Sequence, residues 1–585
     1  MSKLFADSTL SSFALKFDSY SEYQSISEAD KETLRGIASW DRYSRAWQLR
    51  LSLWEILWHL DNLIEAYHID ESSQGVVELR RFSKRLSEVA SSEMLPLVKA
   101  TFPFLYKHQA ICVARALALH KLRPQHRAFN IFHAVGLGKT VTSLALAALL
   151  RGNPHRKVLV LAPPAILSQW QHEVERFFSN SYSPVIIKGS KKRREKLWSN
   201  GKQEANLLIV SWETFRNDVD LIPNDIAVVI ADEASKIKNH STKLYKATSK
   251  VVNEREAFFI PLTATPFENR LEDVYNISSV TTTIMPRRRF LNRYAVWGRV
   301  YNPSIRREVE IVLEWRNVED FAGIIAPFTD RRTPDDIGVE LPPVVEEWRS
   351  IDPAAGQVKA AELLIAKAKE MLGGENQKGA VLFLVWQLLR MLDNGLYEFS
   401  LSDSEIARQV LQELNITPPA RDEPPKLKRL VEELDELNGK QILIFTSFIA
   451  SANRIAFTIK EKLGKEVAVI TGAQQGTERD KIVEKFKNKE IPYLVTTASL
   501  GRGVSFPHCD AILLYDLHPN PKEIEQRIGR IVRLDSDKRQ TKLVIYFYST
   551  IVEHLIADII KRKIKWSNEF EFIKEVIAKR FGDLA

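Results

Sequence analysis

Phe132-His133-Ala134-Val135-Gly136-Leu137-Gly138-Lys139-Thr140 is the stretch that decides how this chain is read. Glycines at 136 and 138 let the backbone turn tightly and bring its N–H groups up to an anion. Lys139 offers charge to the β and γ phosphates of a nucleotide, and Thr140 a hydroxyl to Mg²⁺. The flanks agree: Ala128 to Phe132 is a short apolar run that predicts a buried strand, and Val141 to Leu150 predicts a helix ended near Gly152-Asn153-Pro154. Such a helix adds the partial positive charge of its N-terminus to the cradle. His133 stands where the strict phosphate-loop pattern has its outer glycine.

Outward from the loop, short apolar runs alternate with helical patterns. Lys157 to Ala162, Leu207 to Val210, Ile226 to Ile230 and Phe258 to Leu262 predict further strands of a parallel sheet covered on both faces. The run Val228-Val229-Ile230 leads into Asp232-Glu233, where ligands bind at the carboxyl ends of such strands. Asp232 suits Mg²⁺, and Glu233 suits orienting and deprotonating an attacking water. Thr263 and Thr265 follow the next strand and are candidates to link the γ-phosphate region to a neighbouring lobe. Gln109, about thirty residues before the loop, is a candidate to read one edge of adenine, since its amide both donates and accepts.

A second set of runs, Gln441 to Phe445, Val467 to Ile470, Tyr493 to Thr497, Ala511 to Tyr515 and Leu543 to Tyr548, predicts a second sheet without a phosphate loop. Its contribution to the nucleotide is expected from Gln526, Arg530 and Arg533, with the two arginines three apart on one helical face and Gln526 a turn earlier. Guanidinium groups there would neutralise charge on a transferring phosphoryl group.

The first hundred residues are different. From Asp30 to Ile69 the pattern predicts a long helical stretch, with Trp40, Trp47, Trp54 and Trp58 along one face. That stripe is either a core between helices or a docking face for a protein partner. Arg287, Arg288, Arg289, Arg293 and Arg299 form a candidate phosphate-binding surface between the two sheets.

Length and composition bound the rest. The 585 residues and 45% apolar content predict several globular domains. A net charge of +9 favours a polyanionic partner such as nucleic acid. Two cysteines, Cys112 and Cys509, exclude a disulfide framework or a cysteine-rich zinc site, so a reducing compartment is expected. No leader and no membrane-spanning run is read, and a compact chain points to a prokaryotic or viral cytoplasm, or to the nucleus in a eukaryote.

Gly136-Leu137-Gly138-Lys139-Thr140, Asp232 to Asn239 and Leu262 to Asn269 resemble successive motifs of the Swi/Snf-type ATPases of helicase superfamily two. The segments at Gln169-Trp170 and Ser211-Trp212-Glu213-Thr214 are similar to that family's first-lobe DNA-contact motifs. Thr497 to Val504, with Gly501, and Gln526 to Arg533 are similar to its last two motifs. The Phe-His-x-x-Gly-x-Gly-Lys-Thr form of the loop resembles poxvirus nucleoside triphosphate phosphohydrolases.

The resemblance implies two RecA-like α/β lobes, ATP and Mg²⁺ as cofactors, and double-stranded DNA as track, with translocation or remodelling of bound protein as output. Trp212 and Gly501 become candidates for nucleic-acid contact or coupling. The expected organisation is an N-terminal helical accessory domain at 1–100, lobe 1 at 101–280, helical protrusions and a brace at 281–425, lobe 2 at 426–550 and terminal helices at 551–585. A strand-separating DNA or RNA helicase and an ATP-gated nucleic-acid sensor or scaffold are the two other readings.

Overall fold

Runs such as Val158 to Leu161 and Val228 to Ile230 are apolar at every position, so they suit strands covered on both faces rather than one. The computed structural model describes residues 2–153, 155–200, 205–264, 270–281, 284–302, 307–338, 342–371, 378–395, 424–471, 476–497, 504, 506–518, 521–532 and 540–561. The chain forms two compact units, the first built on a seven-stranded sheet and the second on a six-stranded one.

The N-terminal segment opens with β1 (Lys3–Ala6), β2 (Phe13–Lys16), β3 (Ala38–Asp41) and β4 (Ala46–Leu49), an antiparallel sheet of order β1-β2-β4-β3. The long helical stretch expected from Asp30 to Ile69 is corrected: helices cover Glu28–Ile37 and Leu53–Tyr67, and two strands lie between. The cause is local. The Asp41 carboxylate accepts from the backbone N–H groups of Tyr43 at 3.0 Å and Ser44 at 3.3 Å, and Arg45 takes a left-handed φ of 47°, so the chain doubles back. A capping box between Ser52 and Glu55 then starts the second helix.

The four tryptophans therefore share no face. Trp40 and Trp47 pair across β3 and β4 with ring centroids 5.6 Å apart. Trp54 lies 4.9 Å from His126 and 5.2 Å from Phe328, and the Trp58 indole donates to Asp320 at 3.1 Å. Leu4, Phe13 and Ile56 belong to the same hydrophobic core as Ile131, Val160 and Ile230, so this segment is packed onto the first parallel sheet.

That sheet contains β5 (Asn130–His133), β6 (Lys157–Ala162), β7 (Pro184–Ile187), β8 (Leu207–Ser211), β9 (Ile226–Asp232) and β10 (Phe258–Leu262). The strands β11 (Ala295–Asn302) and β12 (Arg307–Trp315) form a two-stranded sheet of their own. Next comes β13 (Thr329–Arg332), which joins the first parallel sheet to give the order β13-β5-β10-β9-β6-β8-β7. All its pairings are parallel, so the segments after β5, β9 and β10 emerge at one edge.

In the second unit, β14 (Val344–Ile351), β15 (Ile442–Phe445), β16 (Val467–Ile470), β17 (Tyr493–Thr496), β18 (Ala511–Leu514) and β19 (Lys542–Ser549) are again all parallel, in the order β14-β19-β18-β15-β17-β16. The span 281–425, expected to hold helical protrusions, thus also supplies an edge strand to each sheet. Its helices include Arg287–Tyr294, Ala355–Met371 and Lys378–Asp393. Its arginines are largely engaged within the fold: Arg287 with Glu272, Arg289 with Glu55, Arg293 with Asp320 and Arg299 with Glu310. In these pairs the side chains of Arg287 and Arg299 remain 42% and 70% exposed. Among the described residues no helix is long and apolar enough to cross a membrane.

Candidate nucleotide site

The phosphate loop leaves β5 at His133 and enters the helix Lys139–Leu150. Gly136 and Gly138 have φ of 87° and 73°, a left-handed backbone that residues with a Cβ rarely take. At Gly138 a Cβ would also meet the Gln109 side-chain nitrogen at 2.2 Å. With its ammonium group 3.0 Å from the His133 carbonyl and 3.2 Å from the Ala134 carbonyl, Lys139 is folded over the loop. Thr140, in the first turn, is half-buried.

Gln109 lies in the first turn of the helix Lys107–Leu122, where its amide oxygen accepts from the Tyr106 backbone N–H at 2.9 Å and its nitrogen donates to the Gly138 carbonyl at 3.5 Å. The structure therefore places it against the loop.

Asp232 ends β9 and Glu233 follows it in a left-handed conformation, φ 55° and ψ 54°. For a residue with a long side chain this is a strained backbone, worth about 1–3 kcal/mol, of the kind that gathers at functional sites. The Asp232 carboxylate accepts from the Trp170 indole at 3.0 Å and from the Glu233 N–H at 2.9 Å. Burial, with the adjacent Glu233 charge, pushes its carboxyl up to about 6, and the Lys139 ammonium opposes that shift. The hydroxyl of Thr140 and the carboxylate of Asp232 are hard oxygen donors of the kind Mg²⁺ takes. Two glycines and a helix N-terminus likewise fit a nucleotide phosphate.

Trp212 is corrected as a direct nucleic-acid contact. It is 1% exposed, and its indole donates to the Asp232 carbonyl at 2.9 Å, so it and Trp170 hold the end of β9 from below. Thr263, equally buried, donates its N–H to the Ile131 carbonyl at 3.3 Å and ties the end of β10 to β5. Thr265, Gly501 and Arg533 lie outside the described residues.

In the second unit, Gln526 lies in the helix Pro521–Ile528. That helix ends at Ile528, and Arg530 follows it in a turn. The Arg530 guanidinium donates to the Val504 carbonyl at 3.1 Å. Arg527 is buried, with its guanidinium 5.2 Å from the Phe445 ring centroid.

Sequence reasoning missed Asp516, just beyond β18. It accepts from the Ser447 N–H at 2.9 Å and from Asn394 at 3.1 Å, and a bond to Thr446 is also present. Its position past the end of a parallel strand, like that of Asp232, was the available signal. Asp330, which contacts His133, carried no local signal at all.

The SNF2-related domain family matches residues 81–394, and the helicase conserved C-terminal domain matches residues 425–535. The chain is 24% identical over 417 residues to a putative ATP-dependent helicase/translocase, YwqA, of Bacillus subtilis, across 69% of this chain and 42% of that protein. It is 24% identical over 443 residues to the chromodomain-helicase-DNA-binding protein 1-like of Mus musculus, across 74% and 47%. To the uncharacterized ATP-dependent helicase YqhH of Bacillus subtilis it is 24% identical over 447 residues, across 72% of each chain. It thus spans less than half the length of the first two relatives.

Proposed function

The chain belongs to the SNF2-related family, and from that premise we propose that it is a nucleic-acid-dependent ATP hydrolase that translocates on double-stranded DNA and displaces or remodels protein bound there. One observation carries the hydrolase reading: Glu233, held in a strained left-handed conformation, lies at the same sheet edge as the loop that carries Lys139 and Thr140.

Each group has a task. The loop N–H groups and Lys139 bind and orient the β and γ phosphates. Thr140 and Asp232 are the donors for Mg²⁺, which when bound screens phosphate charge. Glu233 orients a water and accepts its proton at the carboxylate. Trp170 and Trp212 keep the carboxylate pair in place through the Asp232 side chain and carbonyl. Gln109 is proposed to read the adenine edge, and Arg530 to stabilise phosphoryl charge. The +9 net charge supports a polyanionic track.

The test is steady-state ATPase activity at fixed salt with no nucleic acid, duplex DNA, single-stranded DNA or RNA. Stimulation chiefly by duplex DNA, together with displacement of a third strand from a triplex, is the expected result. Stimulation chiefly by single strands or RNA, with unwinding of a forked duplex, overturns the duplex-translocase reading. Absence of stimulation by any of them overturns nucleic-acid dependence.

A further inference from the structure

Beneath the phosphate loop lies a buried charge cluster that the nucleotide chemistry does not use. Asp330, on β13, is 1% exposed at its side chain and accepts from three groups. His133 meets one carboxylate oxygen at 2.8 Å, Arg115 meets the other at 2.6 Å, and Arg332 reaches both, at 3.2 and 3.1 Å. Among the described residues the Nδ1 atom of His133 has no hydrogen-bond partner, whereas its Nε2 faces Asp330. Burial holds the His133 imidazole below its ordinary range, and the neutral ring with its proton on Nε2 donates to the carboxylate.

Cys112, His133 and Asp330 bring three metal-ligand atoms within 4.8 Å of one another. A cation has no place there: the Asp330 oxygens are already taken by two guanidinium groups that a dication would have to displace. The cluster is an ion-pair network.

Its location gives it a use. His133 is the last residue of β5, and its carbonyl accepts from the Lys139 ammonium at 3.0 Å. The adjacent Ala134 N–H donates to the Arg332 carbonyl at 2.8 Å, so β13 is bonded to the first residue of the loop by backbone as well as by side chain. Arg115 is on the same helix as Gln109, whose amide touches Gly138. Both ends of the loop are thus anchored to the elements that surround Asp330. A glycine in place of His133, as in the strict pattern, would leave Asp330 its two arginines but no side-chain tie to the end of β5.

We propose that Asp330 is a positioning residue for Lys139: through His133 it fixes the end of β5, and with it the carbonyl platform that aims the ammonium at the nucleotide phosphates. β13 is also the strand from which the chain runs, by a short helix at Pro334–Ile337, out of the first unit. A pull on that strand therefore acts on the phosphate loop directly. The inference rests on Lys139 gripping phosphate.

A double-mutant cycle on the full chain, titrated with a fluorescent ATP analogue without nucleic acid, tests it. Asp330→Asn should weaken binding about tenfold in the parent and leave it unchanged in Lys139→Ala, the coupling expected of groups joined through one hydrogen-bond network. Equal weakening in both backgrounds, or none in the parent, overturns the proposal. Should Asp330→Asn fail to fold, His133→Asn serves in the same cycle, since it removes the ring and leaves Asp330 both arginines. A Lys139→Ala protein that binds like the parent would instead refute the phosphate role of Lys139.

Discussion

Gly138→Ala isolates the cost of the backbone on which the phosphate loop depends. At φ 73° an alanine takes a left-handed conformation, which costs about 1–2 kcal/mol. Its Cβ would stand 2.2 Å from the Gln109 side-chain nitrogen, so the Gln109 amide has to move. That movement loosens its bonds to the Gly138 carbonyl and the Tyr106 N–H, a further loss of about 1 kcal/mol. Alanine also restricts the unfolded chain, which returns about 0.4–1 kcal/mol. The net destabilisation is about 1–2.5 kcal/mol, or a fall in melting temperature of roughly 1.5–4 °C for a unit of this size, given about 2.1 cal/mol/K of unfolding entropy per residue. Thermal unfolding and ATP-analogue titration are the assays. The double variant Gly138→Ala/Gln109→Ala relieves the crowding but keeps the dihedral penalty, so it should recover less than half of the lost thermal stability. A Gly138→Ala protein that melts within about 1 °C of the parent with unchanged affinity would refute the dihedral argument. Full recovery in the double variant would show that crowding alone mattered.

Glu233→Gln is expected to bind ATP normally and hydrolyse it about 10²–10⁴-fold more slowly, the usual contribution of a positioned base; parent-like single-turnover rates would remove Glu233 from that role. Arg530→Ala should keep nucleotide affinity and lose stimulated turnover, by up to about 10³–10⁵-fold if it acts as arginine fingers do, which stimulated and basal rates compared side by side will show. Lys426→Met strands Glu553, whose carboxylate accepts from the Lys426 ammonium at 2.6 Å in a fully buried pair, and should destabilise the second unit by about 3–5 kcal/mol. Burial pushes the Glu553 carboxyl up to about 7 and Lys426 opposes it, so the stability tied to this group is present below the ordinary carboxyl range and lost as pH rises through about 7. The variant should therefore melt higher at pH 5 than at pH 8, and the opposite slope in differential scanning would refute the assignment. Duplex affinity should fall about tenfold between roughly 50 and 200 mM salt for every two phosphates neutralised, and a flat response would exclude a phosphate-backbone grip.

The sequence by itself determined the features that depend on neighbours along the chain. Runs such as Val158 to Leu161 and Ile512 to Leu514 are uniformly apolar, and a strand covered on both faces accepts nothing else, so most strands of both parallel sheets were legible. Gly136, Gly138, Lys139 and the Asp232-Glu233 pair were legible because a phosphate cradle and a carboxylate at a strand end each need particular residue types at fixed spacing. Periodicity misled at Trp40 to Trp58, where spacings of seven and four suit a helix but a four-residue turn capped by Asp41 reverses the chain.

What only the tertiary structure decided was which distant segments meet. β13 and β14 are short or polar along one face and become strands only beside β5 and β19, because an edge strand is chosen by the ladder it completes. The same holds for Trp212, whose indole could serve a surface or a core until β9 was placed above it. It holds most of all for Asp330, 197 residues from His133. Nothing local distinguishes that aspartate, and its role follows from the burial that forces it to find three donors at once.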